Sequence, residues 1–102
     1  MARPTKYAAD VVERIVDALA SGNTRRVAAA RGGITDDTFT RWLRRYAGFA
    51  DAVKTAEADA EAAHVARIEH AASTGTWQAS AWWLERRRHA DWGRVIATAR
   101  TA

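Results

Sequence analysis

Threonine and arginine side chains recur between residues 35 and 45, at spacings that place them on one side of a helix. Steps of three and four residues collect large apolar side chains on the opposite side: Phe39, Trp42, Leu43 and Tyr46. Burial of that aromatic side leaves six polar side chains facing solvent: Asp37, Thr38, Thr40, Arg41, Arg44 and Arg45. Hydrogen-bonding groups and positive charges on one helix face suit the base edges and phosphates of a DNA groove.

The side chains of this face have different expected roles in binding duplex DNA. Arg41 can donate two hydrogen bonds to a guanine, and Thr38 and Thr40 can bond bases or pack on a thymine methyl group. Arg44 and Arg45 are better placed for phosphates, which give affinity without sequence information. The acidic pair at residues 36 and 37 would repel phosphate, so it either caps the helix or accepts a bond from cytosine.

The segment before this helix has the features of a helix-turn-helix. Thr24 is placed to cap a short helix, and Ala28 within it is small enough for a second helix to cross closely. Gly32 and Ile34 supply the turn and its apolar plug, and Thr35 caps the helix that follows. The segment therefore predicts a helix-turn-helix whose second helix fits the major groove.

Further residues flank the helix-turn-helix and are expected to contact DNA. Arg25 and Arg26 begin its first helix, and Lys6 lies in a basic arm at the start of the chain, where all three suit phosphates. Thr24 and Thr35, at the two helix starts, complete the predicted DNA-binding set. The alternative is an ordinary helical hairpin whose arginine face is only solvated.

Helical periodicity runs through the whole chain and no strand alternation appears, so the sequence predicts an all-α fold. Helices are expected over residues 8–20, 25–31, 36–46, 49–72 and 77–88. Val27 is expected to face inward with Ala28, and Gly48 to separate the third helix from the fourth. Residues 1–47 form the expected arm and three-helix DNA-binding unit, and residues 48–102 a helical region for oligomerisation and partner binding.

The long fourth helix is rich in alanine and in acidic residues. It carries a narrow seam at 4-3-4-3 spacing: Phe49, Val53, Ala56, Ala60 and Ala63. Because small side chains permit close packing of a neighbouring helix, we expect this seam to form a homo-oligomer; the alternative is packing on the chain's own helices. Glu57, Glu61 and His64 complete no three-ligand metal site, so we expect them to be solvated and no metal to bind.

Four tryptophans crowd into the last third of the chain: Trp77, Trp82, Trp83 and Trp92. We expect most of them to clamp the last helix onto the long one, with one exposed for a partner. The alternative is a partner surface made of several tryptophans. Arg86, Arg87 and Arg88 form a second basic cluster that suits DNA or the acidic middle of a neighbouring chain.

Charge is segregated along the chain, whose net charge is +4. Residues 1–45 carry nine Arg and Lys against five Asp and Glu, residues 46–80 carry two against five, and residues 81–102 carry five against two. A basic first segment suits a polyanion, and an acidic middle suits a partner-facing or solvated helix.

The rest of the composition excludes several kinds of site. The chain has no cysteine, which excludes disulfides and thiolate metal sites. It has no Gly-rich phosphate loop followed by Lys and Ser or Thr, and no Ser-His-Asp or Cys-His grouping, so we expect no enzymatic activity and no cofactor. No apolar run reaches membrane-spanning length and no signal-peptide core is present, so we expect a cytoplasmic protein without membrane contact.

Taken over nearly the whole chain, the sequence resembles the small terminase subunits of tailed phages and prophages. The segments that carry the resemblance are residues 3–7, 32–44, 49–53, 75–87 and 92–94. The helix-turn-helix part is generic, and the tryptophan-rich tail at this distance from it is the more specific half. The sequence departs from the family at Asp36, where relatives often have a basic residue, and at His89, where they often have proline.

The resemblance implies a non-catalytic DNA-recognition subunit of a genome-packaging machine. Such subunits bind the packaging start site on viral DNA and assemble into rings through a central helical region. They also recruit and modulate the large terminase subunit, which holds the ATPase and the nuclease. From the helix-turn-helix alone, the alternative is a transcriptional regulator or a transposase-type DNA-binding module.

Overall fold

The computed structural model of the protein describes residues 7–72, 74–75 and 77–93. Its helices in chain order are α1 (Ala9–Ala20), α2 (Arg25–Gly32), α3 (Asp36–Arg45), α4 (Ala47–Ala71) and α5 (Gln78–Arg87). A short helical segment follows at residues 89–93. Within these ranges there is no strand, which confirms the all-α prediction. None of the described helices is long and apolar enough to span a membrane.

The first of two compact units ends at Ala60, and its core joins α1, α2, α3 and the start of α4. From α1 the core takes Val11, Ile15, Ala18 and Leu19, which share one face of the helix. The Phe49 ring meets Phe39 and Trp42 edge to face, with centroids 5.3 and 5.7 Å apart. Burial of side chains this large stabilises the fold by about 1.5–3 kcal/mol each, so the core determines which side of α3 faces solvent.

The close crossing of α1 and α2 depends on Gly32. A Cβ atom at this position would lie 2.5 Å from Cγ1 of Ile15, which is fully buried. Ala28, the small residue that the sequence singles out for a close crossing, is also fully buried. The two helices therefore pack more closely than larger side chains would allow.

Threonine side chains cap both α2 and α3, as the sequence predicts. Oγ1 of Thr24 accepts a hydrogen bond from the backbone N–H of Val27 at 3.1 Å, and Oγ1 of Thr35 accepts one from Thr38 at 3.1 Å. Between the two helices, Gly33 adopts the left-handed conformation with φ 77°. Such a glycine ends a helix and redirects the chain, so α3 begins three residues later.

Two local predictions were wrong. Val27 is 43% exposed, because the α2 residues that pack in the core are Ala28, Ala29 and Gly32. Gly48 does not separate α3 from α4, because α4 already begins at Ala47. The break falls at Tyr46, whose backbone is extended (φ −116°, ψ 104°). One extended residue is enough to separate two helices, and it does not have to be glycine.

The second compact unit begins at Glu61, and the structure describes it at residues 61–72, 74–75 and 77–93. Ala81 and Leu84 of α5 are fully buried in its core. Around them pack five partly buried side chains: Val65, Ile68, Trp77, Trp83 and Trp92. Trp82 is 54% exposed. Three of the four C-terminal tryptophans therefore contribute to packing, and one faces solvent.

The compact units differ in extent from the functional regions expected at residues 1–47 and 48–102. The start of α4 completes the first core, and its later part belongs to the second unit. A unit boundary inside a continuous helix leaves no glycine, proline or polar linker that the sequence could reveal.

Candidate nucleic-acid interface

Helix α3 turns its aromatic side into the core and its polar side to solvent. Phe39 and Trp42 are 3% and 6% exposed, and Leu43 and Tyr46 are partly buried against the same core. The polar side consists of Asp37, Thr40, Arg41, Arg44 and Arg45, which are exposed, and Thr38, which is half-buried. The structure therefore brings together on one face the six α3 side chains that the sequence associates with DNA.

A chain of hydrogen bonds orders the first half of this face. The hydroxyl of Thr35 donates to Oγ1 of Thr38 at 3.1 Å, and Nη2 of Arg41 donates to the same oxygen at 3.1 Å. Because this oxygen accepts twice, the hydroxyl hydrogen of Thr38 remains for a further acceptor. Arg41 keeps most of its five N–H donors, so this group can still donate to a base edge or a phosphate.

The acidic pair occupies the first turn of α3. Asp36 and Asp37 are both exposed, and both lie where the helix dipole favours negative charge. Their position explains how α3 tolerates two carboxylates next to a basic face. Asp37 remains on the polar side, where it can accept a hydrogen bond from an amino group but would repel a phosphate.

The other end of α3 is basic and adjoins an aromatic cluster. Nε of Arg45 donates to the hydroxyl of Tyr46 at 3.2 Å, and its guanidinium carbon lies 5.5 Å from the centre of the Tyr46 ring. The Tyr46 ring in turn stacks on Tyr7. These contacts hold Arg45 against the protein, whereas Arg44 is exposed and forms no ion pair with any described residue.

The two arginines at the start of α2 have different surroundings. Arg26 is exposed and has no ion-pair partner in the described part of the chain. Arg25 forms two hydrogen bonds of 2.9 Å with the carboxylate of Glu57 on α4. The hydrogen bond to Glu57 raises the pKa of Arg25 above the usual arginine value, although burial acts in the opposite direction. Of the two, only Arg26 offers an uncompensated charge.

The remaining DNA-binding predictions are placed as follows. Thr24 and Thr35 are exposed at the helix starts, but their oxygens are engaged in capping. Lys6 lies outside the described residues.

The predicted oligomerisation seam is mostly buried within the single chain. Phe49 and Val53 are fully buried, and Ala56 and Ala60 are 2% exposed. The first three belong to the core that α4 shares with α1, α2 and α3. The expectation that a neighbouring chain covers them was therefore wrong, and the alternative of packing on the chain's own helices holds for these three. Ala63 is half-buried in the second unit.

The expectation that the acidic and histidine side chains of α4 are solvated was also wrong. Glu57 pairs with Arg25, and Glu61 pairs with Nε of Arg88 at 2.8 Å. Nδ1 of His64 lies 3.2 Å from Oγ of Ser80. Among the described residues, no three His, Cys, Asp or Glu side chains come together as a metal site.

Comparison with known protein families adds an independent finding to this geometry. The family model described as bacteriophage Sf6, terminase small subunit-like, matches residues 7–101. The chain belongs to this family. No curated protein and no solved structure gave a significant match. The match extends over α1 to α5, so the terminase assignment does not rest on α2 and α3 alone.

Two residues of this terminase small subunit-like chain were missed by sequence reasoning. Glu57 was missed because its partner, Arg25, is 32 residues away and no local pattern indicates the pairing. Tyr7 was given no role, although its ring contacts Tyr46, Trp42 and Phe49. A signal for Tyr7 did exist, since an aromatic residue just before a helix N-cap often packs against the protein.

Proposed function

We propose that this terminase small subunit-like protein recognises viral duplex DNA for genome packaging. Helix α3 lies in the major groove and is presented by α1 and α2 as a helix-turn-helix. The observation that supports this most strongly is the orientation of α3, whose aromatic side is buried while its arginines and threonines face solvent. Many surface helices divide in this way, and the feature that suits DNA is that the exposed side of α3 carries Arg41, Arg44 and Arg45.

Sequence readout on this proposal belongs to the first half of the α3 face. Arg41 donates to a guanine, and Thr38 and Thr40 bond bases or pack on a thymine methyl group. The bond from Arg41 to Thr38 favours this assignment, because it limits the conformations of the arginine before it meets a base. Asp37 accepts from a cytosine amino group or stays clear of the phosphates.

Affinity comes from cations around this face. Arg26, Arg44, Arg45 and Lys6 contact phosphates and release counterions, which gives binding without sequence information. Arg44 and Arg26 suit this role because they are exposed and carry no ion pair among the described residues.

The protein acts as a non-catalytic subunit in the host cytoplasm. It forms a homo-oligomer, which we expect to be a ring, and it recruits and regulates the large terminase subunit with its ATPase and nuclease. Family membership supports this role. Because most of the α4 seam is buried in the chain's own core, the surface between chains lies elsewhere.

Binding of a fluorescein-labelled duplex, measured by anisotropy at several salt concentrations, tests the DNA-binding function. Arg41→Ala is expected to weaken binding by about 1–3 kcal/mol, and Arg44→Ala to lower the salt slope by about one unit. Arg14→Ala is the matched control, because Arg14 is an exposed arginine of α1 outside the α3 face. If Arg41→Ala and Arg44→Ala bind as the wild type does, or lose no more affinity than Arg14→Ala, α3 is not the DNA-binding helix.

A further inference from the structure

A two-bond salt bridge joins the start of α2 to the middle of α4. Nε of Arg25 donates to Oε2 of Glu57 and Nη2 donates to Oε1, both at 2.9 Å. The two residues are 32 positions apart and belong to the same compact unit, so the contact is part of its tertiary structure. Parallel bonds between a guanidinium and a carboxylate are among the stronger ion pairs, and they fix the plane of the guanidinium.

The surroundings favour this arrangement but leave it open to solvent. The guanidinium carbon of Arg25 lies 5.9 Å from the centre of the buried Phe39 ring. The side chains of Arg25 and Glu57 are 49% and 25% exposed. An anion from solvent can therefore approach Arg25 without any rearrangement of the core.

The charge of Arg25 is already compensated in the free protein, in contrast to that of its neighbour. Arg26 can release a counterion when it meets a phosphate. Glu57 occupies the Nε and Nη2 donors on one edge of the guanidinium, and a phosphate that takes this edge has to displace the carboxylate. Carboxylate and phosphate therefore exclude each other at this edge of the guanidinium.

We propose that Glu57 competes with DNA phosphate for the guanidinium of Arg25, so that a carboxylate on α4 limits the affinity of the α2–α3 segment for duplex DNA. The inference rests on the proposed function, because it requires the start of α2 to face a phosphate. In the free protein the Arg25 guanidinium is bonded to the Glu57 carboxylate. On the duplex it gives up this carboxylate and binds a DNA phosphate. Glu57 thus sets DNA affinity without lying on the DNA-contacting helix.

The test compares the affinity of a short labelled duplex for the full chain and its variants over a series of salt concentrations. Glu57→Gln removes the charge but keeps the shape, and Glu57→Ala removes the remaining acceptor. Asp59→Asn is the matched control, because Asp59 is an exposed acid on the same helix and its loss removes the same charge. Arg25→Ala, alone and combined with Glu57→Gln, shows whether any effect passes through Arg25.

Glu57→Gln and Glu57→Ala are expected to bind roughly threefold to tenfold more tightly than the wild type at low salt, the range of one exposed charge-assisted contact. The slope of log affinity against log salt is expected to steepen by at most about 0.9, because the displaced Glu57 carboxylate of the wild type takes up a cation and the variants lack this carboxylate. Asp59→Asn is expected to change the affinity for DNA by less than about twofold, because the Asp59 carboxylate does not form an ion pair with Arg25. In the Arg25→Ala background, Glu57→Gln is expected to have no further effect.

Three results would overturn the competition between Glu57 and phosphate. These are equal gains from Glu57→Gln and Asp59→Asn, weaker binding by Glu57→Gln, and a Glu57→Gln effect that persists without Arg25. Weaker binding would show that Glu57 instead holds Arg25 in place for DNA. Failure of the wild type to bind any duplex is a separate result, which overturns the proposed function and the inference together. Circular dichroism verifies that each variant keeps its helices.

Discussion

The ring of Tyr7 lies stacked on the ring of Tyr46, with centroids 3.8 Å apart and planes inclined by 16°. Tyr7 also meets the Trp42 ring edge to face at 5.0 Å. Tyr46 is the extended residue between α3 and α4, and Tyr7 comes just before α1. The stack therefore joins the segment just before α1 to the residue that follows the proposed DNA-binding helix.

Removal of the Tyr7 ring is expected to destabilise the first unit. Tyr7→Ala should lower the free energy of unfolding by about 1–2 kcal/mol, since an aromatic pair contributes about 0.5–1.5 kcal/mol beyond its buried area. Tyr7→Phe keeps the ring and serves as the control, with an expected change below about 0.5 kcal/mol. Urea denaturation measures both. An unfolding free energy of Tyr7→Ala equal to that of the wild type would show that the stack contributes nothing to stability.

Two glycine substitutions are expected to have opposite effects. A Cβ at Gly32 meets the buried side chain of Ile15, so Gly32→Ala should destabilise the fold by about 1–3 kcal/mol through overpacking. Gly48 lies in the first turn of α4 with no atom within 4 Å of a Cβ, so Gly48→Ala should be neutral or stabilise by up to about 1 kcal/mol. Thermal unfolding of the two variants beside the wild type measures the difference. Equal midpoints would contradict the close crossing of α1 and α2.

Local features of the first unit could be predicted from the sequence. The caps at Thr24 and Thr35, and the burial of Phe39 and Trp42, follow local rules of spacing and side-chain chemistry, and the sequence predicted all four correctly. The seam of α4 obeyed the same rules, yet periodicity identifies only an apolar face and not the chain that covers it. The break between α3 and α4 was expected at Gly48, because a single tyrosine with extended backbone leaves no local signal in the sequence.

Contacts between distant residues lie beyond such rules. Arg25 and Glu57 each fit a solvated helix surface in the sequence, and only the tertiary structure of the first unit brings them together. The position of Arg41 and Thr40 on the solvent side of α3 follows from spacing, and their roles on DNA stay predictions.

Acidification is expected to lower the stability of the second unit, because His64 becomes protonated. This ring stacks on Trp83 with centroids 4.3 Å apart and lies 3.2 Å from the Ser80 hydroxyl. Burial, and secondly the positive charge of Arg67, lower the pKa of His64 below its ordinary value of 6.5. On α5, the guanidinium carbon of Arg87 lies 5.5 Å from the centre of the Trp83 ring.

The lowered pKa of His64 determines how stability changes with pH. The folded protein binds the proton less readily than the unfolded chain, so the contribution of neutral His64 to stability is complete above pH 6.5. It is lost progressively as the pH falls below that value toward the folded pKa. The free energy of unfolding should therefore decrease more between neutral and mildly acidic pH for the wild type than for His64→Gln. Parallel pH profiles for the two proteins would contradict the pKa direction.

The most direct test of α3 as the DNA-binding element is a titration of the isotope-labelled protein with a short duplex, followed by two-dimensional NMR. The largest changes in amide chemical shift are expected in residues 35–45 and at the start of α2, with smaller changes around the basic cluster of α5. Changes concentrated on residues 82–88, with the amides of α3 unaffected, would contradict the account and move the DNA-binding surface to the second unit.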